Sequence, residues 1–371
     1  MKIFWLALTL LFSAAAWAAP PVASSRAWIV IDAASGRDLA SQQADLPLAP
    51  GSLTQMMTAY VLLGDIRSGK LRLDQTVTVP QAAAVADGAR IFLKPGEKVS
   101  IDVLLRGMLV ESASDATLTL VTAADGSEAA FVERMNREAR RLGMTKTRFV
   151  NATGLAAPGH QSSVRDLALL ARALLRDFPG QSAFFGQKEL AFQGVTYYNG
   201  NRLLWRDDTV TGVKAGRTPQ AGYCLAASAQ RGDQRRIAVV LDARSDAQRT
   251  QDALKLLNYA FETFDSIPLY RAGQTIKIVN VYRGERALLR IGFAQDFHAV
   301  VPRGAASRMK AELVTRQPIV APVRKGEQVG SLRLTLDGQP LGDYPLVALH
   351  DVGVAGILGR GWDSLRLFFA K

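Results

Sequence analysis

Ser52, in the stretch GSLTQMMTAYVLLG, is a residue that can either cap a helix or attack a carbonyl. Gln55 follows three residues later, just ahead of an apolar run. Ser-x-x-Gln at such a place is the sequence form of a capping box, in which each side chain satisfies an orphan amide at the helix start. As a nucleophile Ser52 needs a base to take its proton, and an amide side chain has no accessible pKa for that work. Two further clusters carry residue types with chemical potential. "ESASDAT" sets Ser112 and Ser114 beside Asp115, and "VTGVKAGRT" sets Lys214 and Arg217 around Ala215 and Gly216. Taken singly, a Ser-x-x-Gln or a Lys-x-Gly carries no functional information.

The elements that would position these residues can be read from periodicity. "AWIVIDAASGRDLASQQADLPLAP" alternates apolar and polar residues and breaks at Ser35-Gly36, the pattern of a hairpin closed by Pro50-Gly51. Met56, Tyr60 and Leu63 recur at helical spacing, so a buried helix is expected from Ser52 to Arg67. Ser112 and Ser114 interrupt two apolar helical stretches, where polar groups in the interior need partners. Further helices are expected in "SSVRDLALLARALLRD" and "DAQRTQDALKLLNYAFETF". Strand-like runs lie between them: "ELAFQGVTYY", "VTGVKAG", "GYCLAASAQ" and "RRIAVVLDAR". Strands flanked by helices fit an antiparallel sheet covered by helices, an α+β arrangement. From about Pro268 short strand-like runs recur with Gly, Asp and Pro breaks and no helical period, which points to a small all-β domain.

Taken together, "SLTQMMTAYVL", "ESASDAT" and "TGVKAGRTPQAGYCLAASA", in this order and spacing, resemble the low-molecular-mass penicillin-binding proteins with D-alanyl-D-alanine carboxypeptidase activity. The linking segments "IFLKPGEKVSIDVLLRGMLVESASDA", "LGMTKTRFVNATGL" and "NRLLW" share the likeness, which covers nearly the whole chain. The resemblance implies a penicillin-binding-protein/β-lactamase-like domain over residues 19–267, an all-β C-terminal domain over 268–353 and an amphipathic tail over 354–371. It also implies a cleft lined by Ser-x-x-Lys, Ser-x-Asn and Lys-Thr-Gly. The family's serine attacks the terminal D-Ala-D-Ala bond, releases D-alanine and is freed by water, which is covalent catalysis by an activated nucleophile.

Each motif departs from that pattern by one residue. Ser52 stands at the nucleophile position, but Gln55 replaces the general-base lysine. A positioned base is worth ~10²–10⁴-fold in rate, and loss of one member of a coupled catalytic unit costs up to ~10⁶-fold. Ser112 stands at the proton-relay position, while Ser114 replaces an asparagine and offers fewer and shorter hydrogen-bonding arms. Lys214 and Gly216 match, but Ala215 replaces the hydroxyl residue that would hold the substrate carboxylate, a charge-assisted contact worth ~1.5–3 kcal/mol. Positive charge remains in Lys214, Arg217 and Arg249, the last at the position where the family places an arginine near the substrate carboxylate. Arg244 is a nearby alternative, and an exposed helix residue is the competing reading of Arg249.

Composition bounds the rest. The 371 residues, 48% hydrophobic and 21% charged, suit a globular protein of two domains. Met1-Lys2, the apolar run that follows and Ala16-Trp17-Ala18 read as a signal peptide over residues 1–18. A net charge of +12 favours anionic surroundings. For an exported protein these are lipid headgroups or an acidic wall polymer rather than nucleic acid. Leu358, Trp362, Leu365 and Phe369 share one helical face in the tail, so attachment to the outer face of the cytoplasmic membrane is expected. Cys224 is the only cysteine, which leaves no intrachain disulfide. His160, His298 and His350 lack ligand spacing and read as surface or loop residues, so no metal and no cofactor are expected.

Three functions fit. The first is a periplasmic, degenerate carboxypeptidase homologue binding peptidoglycan stem peptides or partner wall enzymes. The second is a slow but true carboxypeptidase in which Lys214 or a water serves as base. The third is an interaction protein working through the β-domain and tail.

Overall fold

The strand Ala27–Asp32 is buried at every position because both faces of its sheet are covered. Its side chains divide by the period of two. Ala27, Ile29 and Ile31 join a large core with the helices, whereas Trp28 and Val30 join a second core with the long helix Asp246–Thr263. The computed structural model describes residues 20–356. The expected signal peptide and most of the amphipathic tail lie outside the described residues.

The sheet is five-stranded and antiparallel, in the order Asp38–Gln42, Ala27–Asp32, Gln234–Ala243, Gly222–Arg231, Val210–Thr218. The two outermost strands are the hairpin partner of Ala27–Asp32 and the strand carrying Lys214. On one face lie the helices Gln55–Arg67, Ile101–Val110, Ser114–Asp125, Glu128–Arg141 and Val164–Asp177, as the apolar periods predict. Gln55–Arg67 is the central one. Met56, Met57, Ala59, Val61, Leu62 and Leu63 are all at most 4% exposed, so the helix is apolar around its whole circumference rather than on one stripe.

The run "ELAFQGVTYY" forms a separate hairpin, Glu189–Phe192 with Val195–Tyr198, outside the main sheet. The all-β part opens with Phe264–Tyr270, directly after the long helix, so its first strand begins slightly before the expected start at about Pro268. That strand pairs with Phe297–Pro302, and the remaining strands form a six-stranded sheet over a core of Val279, Leu289, Ile291, Phe293, Leu334 and Leu346.

The first strand of the all-β part is bonded to a buried ion pair of the main sheet. Arg236 of the main sheet meets Asp32 with both side chains fully buried. The other arm of Arg236 donates to the Phe264 carbonyl at 3.0 Å, and the Ser266 hydroxyl donates to Asp32 at 3.0 Å.

Candidate active site

Ser52 sits in a single 3₁₀ turn, Gly51–Thr54, that feeds directly into the helix Gln55–Arg67. The capping box expected of Ser52 and Gln55 does not form. The cap positions of the turn and the helix are Pro50 and Thr54, neither with a side-chain capping bond. A capping residue must be extended and stand outside the helix, whereas Ser52 is already inside the turn. Gln55 is fully buried and reaches the segment 112–117. Its Nε2 donates to the Ser112 carbonyl at 3.0 Å and to Thr117 Oγ1 at 3.1 Å, while its Oε1 has no partner.

Two glycine backbones clamp the turn. A Cβ on Gly216 would lie 2.8 Å from the Ser52 nitrogen, and one on Gly154 would lie 2.0 Å from the Gly51 carbonyl oxygen. Only glycine permits the strand Val210–Thr218 and the loop at 154 to approach this closely.

Ser112 occupies the turn between the helices Ile101–Val110 and Ser114–Asp125, with φ at +65°, a left-handed conformation uncommon for serine. Lys214, 2% exposed, reaches across from the edge strand. Its Nζ donates to Ser112 Oγ and to its neighbour's carbonyl, Ala215 O, at 2.8 Å. Burial, with the positive charge of Arg249, lowers the Lys214 pKa to about 7. Ser114 begins the next helix, 3% exposed, and its hydroxyl would crowd a Cβ on Gly88 at 2.9 Å. Ala215 packs in the second core and forms part of the cleft wall opposite Gly200.

Arg249 is not an exposed helix residue. It is 6% exposed and tied down: Nε to Asp246 at 2.7 Å, Nη1 to the carbonyls of Gly216 at 2.8 Å and Cys224 at 3.1 Å, and Nη2 to Gly200 O at 2.9 Å. Its guanidinium buttresses the cleft wall with every nitrogen engaged. Arg217 instead presents an exposed guanidinium to the cleft, over the ring of Tyr223 at 5.1 Å, while Arg249 lies 5.4 Å from the same ring. Arg244 is exposed at the start of the helix and is absent from the cleft lining.

Ser52, Ser112, Ser114, Ala215, Gly216 and Arg249 thus converge on one cleft of about 220 Å³, with Lys214 buried behind its wall. Three further residues support the site, of which the sequence points only to Asp115, as the acid of the Ser/Asp cluster. Asp115 is fully buried and accepts from the amides of Ile91 at 3.2 Å and Leu93 at 3.0 Å, holding the 85–93 loop at the cleft. Glu111 lines the cleft as its one carboxylate among the described residues. Burial raises its pKa, and the charge of Lys214 acts against that rise. His160 lies in a loop, as one of its two readings has it, but is 6% exposed rather than at the surface. Its Nδ1 accepts from the Val150 amide at 3.0 Å, so Nε2 carries the proton and donates to Thr54 Oγ1 at 2.8 Å. Burial pushes its pKa down to about 4. Nothing in the spacing of Glu111 or His160 marked them. Among the described residues no group of three or more His, Cys, Asp or Glu is arranged to hold a metal ion.

A serine on the turn before a buried helix, a serine turn between two helices and a Lys-x-Gly edge strand facing both define the class, the serine acyl-transferring penicillin-binding fold. Residues 14–245 match the D-alanyl-D-alanine carboxypeptidase family and residues 264–354 match the C-terminal domain of penicillin-binding protein 5. The chain belongs to the D-alanyl-D-alanine carboxypeptidase family. It is 37% identical over 376 residues to the carboxypeptidase DacC of Escherichia coli, covering 98% of this chain and 94% of that one. DacF of Bacillus subtilis is 33% identical over 336 residues, covering 89% and 86%. The crystal structure of penicillin-binding protein 5 from Haemophilus influenzae superimposes with a TM-score of 0.85 at 32% identity, covering 90% of this chain and 99% of that one.

Proposed function

We propose that this chain acts in peptidoglycan metabolism as a carboxypeptidase homologue that keeps the cleft and has lost, or nearly lost, the hydrolysis. The observation that carries this reading is Gln55. Its amide is buried beside the cleft, donates to Ser112 O and Thr117, and can accept no proton from Ser52. Ser114 and Ala215 weaken the grip on substrate further. The retained cleft and the accessible Arg217 favour binding of an anionic stem-peptide end, alone or beside a wall enzyme.

The test is release of D-alanine from a D-Ala-D-Ala peptide, paired with labelling by a fluorescent penicillin. Wild type should neither turn over nor label. The combined variant Gln55→Lys, Ser114→Asn, Ala215→Thr should label, because the scaffold is intact. Wild-type turnover abolished by Ser52→Ala would overturn the reading.

A slow true carboxypeptidase is the second reading, favoured by the contact of Lys214 with Ser112 Oγ. Ser52 Oγ would attack the carbonyl of the penultimate D-alanine, its proton passing through Ser112 to Lys214 Nζ, and D-alanine would leave as the amine is protonated. With the Lys214 pKa at about 7, that rate would rise as pH increases through 7. The same overall proposal has the signal peptide removed on export and the tail resting on an anionic membrane surface.

A further inference from the structure

Beside the cleft lies a second groove of about 560 Å³, lined by Tyr198, Arg202, Trp205, Arg206 and Asp246. Trp205 is 42% exposed and Tyr198 56%, large rings left in water although most aromatic side chains among the described residues are buried. The guanidinium of Arg202 stands 5.9 Å from the Trp205 ring centre, and its Nε is 3.7 Å from Asp246. The groove and the cleft are built from the same two segments. Along 198–205, Tyr198, Arg202 and Trp205 face the groove while Gly200 faces the cleft. At the start of the helix Asp246–Thr263, Asp246 faces the groove while Arg249 faces the cleft. Arg249, which lines the cleft, bonds Gly200 O at 2.9 Å and Asp246 of the groove at 2.7 Å, tying the two cavities together.

We propose that this groove binds a pyranose ring of the glycan strand, so that cleft and groove together hold a sugar and its attached stem peptide. The inference rests on the reading that the cleft takes a stem peptide. A pyranose has one apolar face of C–H bonds and an edge of hydroxyl and amide groups. The negative face of an exposed indole or phenol receives the first. The planar, oppositely charged side chains of Arg202 and Asp246 match the second, as in other sites where a few placed polar groups orient a mostly apolar contact. A purely aliphatic ligand would cover Arg202 and Asp246 without offering either a hydrogen bond. A neutral amino sugar satisfies rings and charges together. Because peptide and sugar are one molecule, two weak contacts reinforce each other through effective concentration.

The experiment titrates the full chain with two probes separately, the peptide-free N-acetylglucosamine tetramer and an acylated D-Ala-D-Ala peptide without sugar. Calorimetry serves as readout, with circular-dichroism melting as a check on folding. Trp205→Ala and Tyr198→Ala should each weaken tetramer binding by roughly tenfold and leave peptide binding unchanged. Tyr198, the more exposed ring, keeps the test decisive if the Trp205 variant folds poorly. A wild-type chain that ignores the tetramer, or tetramer binding that survives both substitutions, overturns the inference. If the peptide fails to bind while the tetramer binds, the proposed function falls and the glycan site stands.

Discussion

Gln55 is enclosed on every side, yet its side-chain oxygen has no partner. An orphaned buried acceptor costs about 1–3 kcal/mol, and with the left-handed Ser112 it puts two local violations at one site. Such violations concentrate where function rather than stability set the geometry. His160 is a third residue whose environment works against its ordinary chemistry. Its folded pKa of about 4 lies below the unfolded value, so between pH 6.5 and 4 the unfolded chain binds the proton more readily. Stability that His160 leaves intact above pH 6.5 should therefore be lost as pH falls to 4, by up to about 3 kcal/mol. Urea melts across that range should show a steeper acid loss for wild type than for His160→Gln.

At the scale of elements, the Ser52 turn is held by close backbone approach rather than by its own caps. Gly216→Ala should force the edge strand off the turn and destabilise the fold by about 1–3 kcal/mol, measurable by urea denaturation. Circular dichroism of that variant should keep the helical signal, because the strain is confined to the edge strand. Helices were legible because their apolar positions repeat at the helical period, and the hairpin at 27–42 because Ser35-Gly36 breaks an alternating run. The strand Gln339–Ala348 was not, because Pro340 and Pro345 argue against a sheet interior. Both prolines are tolerated where the strand has a neighbour on one side only. The strand Leu288–Gly292 reaches just Val347 and Ala348.

Across the whole molecule, Phe264 and Ser266 of the all-β part bond to the main sheet's buried Asp32–Arg236 pair. Breaking a buried pair strands the remaining charge, so Asp32→Ala should cost about 3–5 kcal/mol, read as a shift of the urea midpoint. Asp32→Asn, which keeps an acceptor for Ser266, should cost less. The exported, membrane-associated state proposed here makes a separate demand on the chain's end. Deleting residues beyond Gly353 should move the protein from the membrane to the soluble fraction, and a truncated chain that stays with the membrane would refute the anchor. Among the described residues no helix is long and apolar enough to cross a membrane.

The sequence by itself determined the family, the α+β class and the positions of Ser52, Ser112 and Lys214, because motif order, spacing and periodicity are properties of the chain read in one dimension. The fates of individual side chains were decided only in three dimensions. Capping by Gln55, exposure of Arg249 and, for the loop residue His160, the surface alternative were all reasonable local readings. Each failed because the partners that overrode it are far along the chain. Ser112 lies 57 residues from Gln55, Gly200 lies 49 from Arg249 and Thr54 lies 106 from His160. Local pattern specifies which elements form. Hydrogen bonding between distant segments then decides which polar groups in the cleft remain free to meet a ligand.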